Sequence, residues 1–271
     1  MFRLFVSCLL LLASGCQINR SFAPVSPSQI FGSERGRQGI ADLERGDIDK
    51  AEKKLEDAVK YSKNDINIRR HYAEVLWQQG KHQESLRQLD EAVKRSGQNN
   101  ASLYISLAEK HLAIREYATA YRYADEAVRL AAYDAQSWTL RGRAKRLQAI
   151  HRSDNAEQMS VMFQQSRDDY LRAVSLTPND RELLIELATV QMDCGQPEQA
   201  LITWLTIQSF YPQGNEPNEV LIGKTETLAI LQRFDEVESH LASIQQRGLE
   251  HTEVGRRLHN VMSAARNNVQ R

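Results

Sequence analysis

The sequence predicts an all-α protein built from stacked pairs of helices. Small and bulky apolar residues recur along the chain with a period of about thirty-four residues. Within each period they stand at i, i+4 and i+7, which is one face of a helix. The composition agrees, because 41% of the residues are hydrophobic but only 7% are aromatic. Such a balance suits helices that pack through Ala and Leu.

The second helix of each unit fixes the phase of the repeat. Its buried face is predicted to comprise Ala51, Leu55 and Ala58; Ser85, Leu89 and Ala92; Ala120, Ala124 and Ala127; Ser166, Tyr170 and Ala173; Ala200, Trp204 and Ile207; and Val237, Leu241 and Ile244. The corresponding units span about 32–65, 66–99, 101–134, 135–180, 181–214 and 218–250. Each first helix carries a small residue where two helices must approach closely, namely Gly39, Ala73, Ala108, Gly142, Ala188 and the larger Thr225.

Glycine and proline mark the ends of the predicted helices. Gly46, Gly80 and Gly195 separate paired helices, where Gly can adopt the left-handed conformation that ends a helix. Pro178 and Pro212 separate neighbouring units, because Pro lacks the backbone N–H and disfavours helix before it. The alternation of the two signals predicts helix, turn, helix and linker in every unit.

These residues resemble the tetratricopeptide repeat family, whose pattern places an aromatic, Leu-Gly, Tyr, Ala, Phe, Ala and Pro at fixed offsets. The resemblance covers roughly residues 32 to 250. The early Trp of the pattern appears only as Trp138, and its closing Pro only as Pro178 and Pro212. The family's fold implies a right-handed α-solenoid whose concave groove holds other proteins. An irregular helical bundle is the alternative.

The fourth unit departs from the regular spacing. Its second helix arrives about twelve residues late by the period of the family, so that 150–161 is an insertion between paired helices. We expect both helices to be longer by about two turns. The turn is predicted at Arg152 to Asn155, with Ser153 or Asp154 as the N-cap. The extension is either a functional face or a tolerated surface feature.

Residues 1–15 have the layout of a secretory signal. Arg3 precedes an apolar run from Leu4 to Ala13, which is too short for a membrane span of about 20 residues. The small residues before Cys16 resemble the lipobox of bacterial lipoproteins, although Ala13 stands where that family usually has Leu. The resemblance implies that Cys16 is lipidated and becomes the first mature residue. Ordinary cleavage that leaves a free thiol is the alternative.

The rest of the predicted organisation follows from this N-terminus. Several acyl chains on Cys16 would anchor the protein stably, and residues 16–32, rich in Ser and Pro, would form a flexible tether. Residues 33–250 hold the repeats, and 251–271 form a capping helix and tail. Gln17 is not the Asp that resembles an inner-membrane retention signal in enterobacterial lipoproteins. We therefore expect the outer membrane of a Gram-negative envelope, with the protein facing the periplasm.

Composition and motifs argue against several classes of function. The chain has 35 basic and 35 acidic residues, whereas a nucleic-acid-binding protein shows a basic excess. The sequence lacks a phosphate-binding loop, paired zinc cysteines and hydrolase motifs. We predict no catalytic residue, cofactor, metal site or small-molecule substrate, and we interpret His82, His111 and Cys194 as packing residues. An enzyme with an unfamiliar site in the groove is the remaining alternative.

The family's rule for its concave surface selects the candidate partner-binding residues. They are Arg70, Glu74, Trp77, Ile105, Glu109, Thr139, Arg143 and Arg146. Trp77 and Ile105 would supply apolar anchor area, while Arg143 and Arg146 could hold partner carboxylates by bidentate hydrogen bonds. Alternatively, Trp77 packs between repeats, and the two Arg lie on a solvated face or pair with Glu109.

The sequence thus predicts a non-enzymatic adaptor that binds peptides or helices of other cell-envelope proteins and reaches the membrane through its N-terminal lipid. Its layout resembles two kinds of lipoprotein. One helps to assemble the secretin of the type IV pilus, and the other recruits peptidoglycan hydrolases. The shared motifs are generic and do not choose between them.

Overall fold

The computed structural model describes residues 26–152, 155–212 and 215–246, together with positions 248 and 256. These residues contain twelve α-helices and no strand. The helices are α1 (Pro27–Glu44), α2 (Ile48–Tyr61), α3 (Ile66–Gln78), α4 (His82–Arg95), α5 (Ala101–Ala113), α6 (Tyr117–Leu130), α7 (Ala135–Arg152), α8 (Ala156–Leu176), α9 (Arg181–Asp193), α10 (Pro197–Gln208), α11 (Asn218–Ile230) and α12 (Phe234–Gln246). The fold class is all-α, of the α-solenoid type, as predicted.

Several predicted features lie outside the described residues. They are the signal peptide, the lipidation site Cys16 and, apart from Arg256, the capping helix. Among the helices that are described, none combines the length and the apolar composition that crossing a bilayer requires.

The chain divides into two compact units, and the boundary between them in the sequence falls between Tyr72 and Ala73. The first unit holds α1, α2 and the start of α3. In it α1 packs closely on α2 because Gly39 has no side chain: a Cβ there would lie 2.7 Å from Cγ of Leu55. Only glycine fits at that distance, which confirms the predicted close approach.

Residues 27–32, which were predicted to belong to the flexible tether, are helical instead, because α1 begins at Pro27. Ser26 caps the helix: its hydroxyl accepts the backbone N–H of Gln29, and the Gln29 side chain accepts the backbone N–H of Ser26. This reciprocal pair is a capping box, and Pro27 occupies the first helical position, where its missing N–H has no consequence. Ser26 and Pro27, which had suggested a flexible segment, thus form the start of a helix.

In the second unit each helix packs on its neighbours in the chain, from α4 to α12. The predicted second-helix face forms the seam between paired helices. Ser85, Leu89, Ala92, Ala120, Ala124, Ala127, Ser166, Tyr170, Ala173, Ala200, Trp204, Ile207 and Val237 are all buried. The seam continues from pair to pair, since Leu184 and Ala188 of α9, Trp204 of α10 and Val220 of α11 form one cluster. Burial of this face confirms the predicted phase of the repeat. In the sixth unit Leu241 is half-buried, and the side chain of Ile244 lies outside the described part of the chain.

Left-handed residues make the turns between paired helices. Gly46, Gly80 and Gly195 have φ of +81°, +76° and +68°, as predicted. The corresponding turns after α5 and α11 use Arg115 and Gln232, with φ of +62° and +59°. A non-glycine residue is uncommon there because its Cβ crowds the backbone.

The insertion in the fourth unit lengthens both of its helices. α7 has 18 residues and α8 has 21, compared with 13 in α5 and 14 in α6. At 1.5 Å per residue the two helices are longer by roughly 8 and 10 Å. The N-cap of α8 is Asn155, whose side chain accepts the N–H groups of Glu157 and Gln158. The prediction of Ser153 or Asp154 was wrong, because the Asn directly before the helix supplies the cap.

Candidate protein-binding groove

Two open clefts lie on the groove-side face of the second unit, which is formed by the first helices of its pairs. The middle cleft has a volume of about 580 Å³ and is lined by Glu109, Tyr133, Asp134, Ala135, Gln136, Thr139, Leu140, Arg143, Leu176, Thr177, Asp180, Glu182, Leu183 and Glu186. The C-terminal cleft has a volume of about 720 Å³ and is lined by Arg146, Thr189, Met192, Asp193, Trp204, Glu219, Ile222, Gly223, Glu226 and Ile230. Both volumes fall in the range of ligand sites in proteins.

Arg143 in the middle cleft pairs with Glu186. The Arg143 Nε donates to Oε2 of Glu186 at 3.2 Å, and its Nη2 donates to Oε1. The hydroxyl of Tyr170 also donates to Oε2 of Glu186, at 2.5 Å. Burial raises the pKa of Tyr170 well above its usual value, and the Glu186 carboxylate adds to this. The phenol therefore stays protonated and acts as a donor that fixes Glu186.

Arg146 makes an equivalent pair with Asp193, with 2.5 Å between its Nε and Oδ2. Both arginines thus join α7 to α9. The alternative partner, Glu109, instead accepts from Nε2 of Gln136 at 2.7 Å. The alternative in which these arginines pair with a carboxylate is correct, but the carboxylates are Glu186 and Asp193 instead of Glu109. Their guanidinium groups are engaged within the chain.

Trp77 lies in a cluster with Glu74, which was also predicted for the groove, with the predicted packing residue His82, and with Lys110, which the sequence did not select. Nζ of Lys110 lies 4.6 Å from the centroid of the Trp77 ring and 2.8 Å from Oε2 of Glu74. The ring of His82 packs on the same indole, with centroids 4.2 Å apart. Trp77 is half-buried, so it both packs against its neighbours and keeps accessible ring surface. The buried Lys110 compensates the charge of Glu74.

The remaining predicted residues have smaller roles. Ile105 is half-buried and packs on the cluster of Ala108, Ala124 and Leu140. Thr139 donates to the backbone carbonyl of Ala135 at 2.9 Å.

Arg70 belongs to the first unit, where its guanidinium donates to Oδ1 of Asn67 at 3.3 Å. A part of Arg70 stays exposed. Its contribution to a groove stays a prediction.

Sequence reasoning missed the C-terminal cleft. Its floor comprises Met192, Ile222 and Trp204, and Gly223 allows α11 to lie against the indole. A Cβ on Gly223 would stand 2.3 Å from Cζ2 of Trp204. A signal is present in the sequence, since the family's rule for the concave surface selects Met192 in α9 and Ile222 in α11.

The candidate packing residues differ in burial. His111 is buried, stacks on Tyr123 and places Nδ1 at 2.8 Å from Oε2 of Glu116. His82 is exposed apart from its contact with Trp77. Cys194 is half-buried, and burial raises the pKa of its thiol. In the part of the chain that the structure describes, no group of three or more His, Cys, Asp or Glu could hold a metal ion.

The comparisons with known proteins agree with the class of fold that this geometry defines, a helical-repeat protein with a groove. Residues 37–101 match the tetratricopeptide repeat family. A sequence comparison with curated proteins finds no match.

Solved structures share the fold over most of the chain. PilF of Pseudomonas aeruginosa has 13% identity and a TM-score of 0.67, covering 87% of this chain and 99% of PilF. PilW, described as a widely conserved type IV pilus biogenesis factor, has 16% identity and a TM-score of 0.65, covering 85% of this chain and 98% of PilW. YrrB, described as a TPR protein with an unusual peptide-binding site, has 16% identity and a TM-score of 0.58, covering 74% and 95%. At such identities the likeness establishes the fold.

Proposed function

We propose that this protein is a non-enzymatic adaptor that binds segments of partner proteins along the groove of its second unit. The observation that carries the proposal is the pair of open clefts on the first-helix face, with volumes of about 580 and 720 Å³. Each cleft combines apolar side chains with charged groups, as surfaces that bind peptides do. The fold likeness to YrrB, whose description names a peptide-binding site, supports the same use.

The ion pairs of the two arginines that line the clefts favour an adaptor over an enzyme. Arg143 and Arg146 are committed to Glu186 and Asp193, so these four side chains hold α7 to α9. A catalytic acid or base needs a proton that it can exchange with a bound substrate. Charges that neutralise each other across two helices serve packing.

The test of the groove compares a double variant with a matched control. Trp77→Ala with Ile222→Ala removes an accessible ring and an apolar side chain of the C-terminal cleft, whereas Ile202→Ala with Leu171→Ala removes apolar side chains at exposed positions of α10 and α8. We expect capture of a specific envelope partner to fall at least about tenfold for the groove variant and to stay unchanged for the control. Circular dichroism checks that both variants fold. Equal capture by the groove variant and the full chain would refute the proposal.

The second part of the proposal is a lipid anchor on Cys16 that holds the protein in the bacterial envelope, at the periplasmic face of the outer membrane. It is supported by the lipobox-like sequence alone. Mass spectrometry of the mature protein is expected to find an acylated Cys16 at the N-terminus. Cys16→Ser should leave the protein unprocessed or release it from the membrane fraction. An intact signal or an unmodified Cys16 would remove this part of the proposal and leave the adaptor intact.

Assembly of the type IV pilus is a narrower candidate for the pathway. It is favoured by the likeness to PilW, which is described as a biogenesis factor of that pilus and matches 85% of this chain. Deletion of the gene is then expected to abolish surface pili, and the intact chain is expected to restore them. Normal piliation with altered wall hydrolysis would favour recruitment of peptidoglycan hydrolases instead.

A further inference from the structure

The two clefts are strongly unbalanced in charge, although the chain as a whole is not. Five carboxylates and one guanidinium line the middle cleft, and three carboxylates and one guanidinium line the C-terminal cleft. The full sequence has 35 basic and 35 acidic residues. The acidity of the groove is therefore a local segregation of charge and does not follow from the composition.

The basic residue of each cleft is already neutralised. Arg143 is paired with Glu186, and Arg146 is paired with Asp193. What remains at the rims includes the exposed carboxylates of Glu182 and Glu219. An arriving carboxylate would have to break an existing ion pair and then face these like charges, whereas an arriving ammonium or guanidinium would not.

The C-terminal cleft adds an apolar floor to this charge. Met192 and Ile222 line it, and Ile230 at its edge is 56% exposed. Met is flexible and polarisable, so such a floor adapts to aliphatic side chains of different shape. Carboxylates around an apolar floor complement a segment in which basic and aliphatic residues stand close together.

We propose that the C-terminal cleft binds a basic segment of a partner protein, with Lys or Arg facing the exposed Glu219 and an aliphatic side chain over Met192 and Ile222. The inference rests on the proposed adaptor function and specifies the chemistry of the partner. It replaces the expectation that the groove arginines hold partner carboxylates.

The experiment uses three labelled peptides and fluorescence anisotropy on the full chain. Each peptide has about ten residues, roughly 33 Å when extended, and alternates Leu with Lys, with Gln or with Glu. We expect the Lys peptide to bind about tenfold more tightly than the Gln peptide, and the Glu peptide to bind most weakly. The advantage of the Lys peptide should shrink as salt is raised, because screening weakens exposed charge pairs.

Two variants with equal loss of charge locate the binding. Glu219→Gln is expected to reduce the affinity for the Lys peptide to about that for the Gln peptide, since Gln keeps the shape of Glu and removes its charge. Glu198→Gln alters an exposed carboxylate at the equivalent place in the first turn of α10, outside the clefts. This control should bind all three peptides as the unchanged chain does.

Three outcomes would overturn the inference. Binding of the Glu or Gln peptide as tightly as the Lys peptide would show that the cleft does not prefer basic segments. Equal loss in the control variant would show that net charge, and not the cleft, is responsible. Tighter binding after Arg256→Gln with Arg257→Gln would mean that the chain's own basic segment occupies the cleft.

The two proposals fail in different ways. If no peptide binds but the groove variant still loses its envelope partner, the adaptor stands and the basic-segment inference falls. If the groove variant also keeps its partner, both fall.

Discussion

Two tryptophans of the second unit show how the seam between paired helices differs from the groove. Trp204 lies in the seam with 3% of its surface exposed, packed among α9, α10 and α11, and this small exposed part lines the C-terminal cleft. Trp77 lies on the groove side, half-buried, against the ammonium of Lys110 and the ring of His82. Close packing of apolar side chains holds Trp204 in place, whereas a cation–π contact and a ring contact hold Trp77.

The difference extends to the other residues of each region. Seam positions are filled by small residues and by side chains without charge, such as Ala200 and Ile207. Groove positions hold charged side chains, some of which form ion pairs between neighbouring helix pairs, such as Arg143 with Glu186. The seam therefore determines stability, and the groove is the surface on which substitutions can alter binding without unfolding the protein.

Truncation of the two tryptophans is the strongest test of this contrast, because it should produce the largest difference in stability. Trp204→Ala should lower the free energy of unfolding by about 3–5 kcal/mol, because it leaves a large cavity in the seam. Trp77→Ala should lower it by about 1 kcal/mol or less, because the indole is partly exposed already. Urea unfolding followed by circular dichroism measures both. Equal losses for the two variants would contradict the division into seam and groove.

The pair of Arg143 and Glu186 is the groove contact with the largest expected effect on stability. Glu186→Ala leaves the hydroxyl of the buried Tyr170 without its acceptor and the half-exposed Arg143 without its partner, so we expect a loss of about 2 kcal/mol. Glu182→Ala removes an exposed carboxylate of the same helix and should cost about 0.5 kcal/mol or less. A loss for Glu186→Ala no larger than that of its control would show that the pair is only a surface feature.

The extension of α8 belongs to neither region and depends on its cap. Asn155→Ala should lower the free energy of unfolding by about 1 kcal/mol, since the N–H groups of Glu157 and Gln158 lose their acceptor. Gln158→Ala, on the exposed side of the same turn, should change it by about 0.5 kcal/mol or less. Hydrogen exchange at the first turn of α8 would report the loss locally. Unchanged exchange in Asn155→Ala would mean that the capping bonds add no protection.

Substitution of Arg115 is expected to have the smallest effect on the free energy of unfolding, and it should raise this free energy. Its φ of +62° is strained for a residue with a Cβ, so Arg115→Gly should raise the free energy of unfolding by about 0.5–1 kcal/mol. Arg122→Gly makes the same change within the exposed face of α6, where it should cost about 1 kcal/mol. Thermal unfolding of the two variants should shift in opposite directions. A destabilised Arg115→Gly would show that its side chain contributes more than the turn strain costs.

The helices and their seams could be predicted because they depend on local spacing. Ala51 and Ser85 stand at matching positions of successive units, and burial of one face follows from that spacing. The turns could be predicted only where glycine marks them, and the left-handed conformations of Arg115 and Gln232 were therefore not predicted. A left-handed residue with a side chain leaves no distinct trace in the sequence.

The ion pairs of the groove could not be predicted, because their partners lie far apart in the chain. Arg143 and Glu186 are 43 residues apart, and Lys110 is 36 residues from Glu74. Which carboxylate faces which cation depends on the rotation between successive helix pairs, and the period does not specify that angle. The acidity of the clefts was missed for the same reason.

The long helices of the fourth unit offer a practical use. α7 and α8 continue beyond the length of the helices in the preceding pair, and the chain joins them between Arg152 and Asn155. The groove residues Thr139, Arg143 and Arg146 all precede that end of α7. A fluorescent reporter inserted at the junction would sit at the far end of the extension, where it could signal occupancy of the clefts while leaving their lining intact.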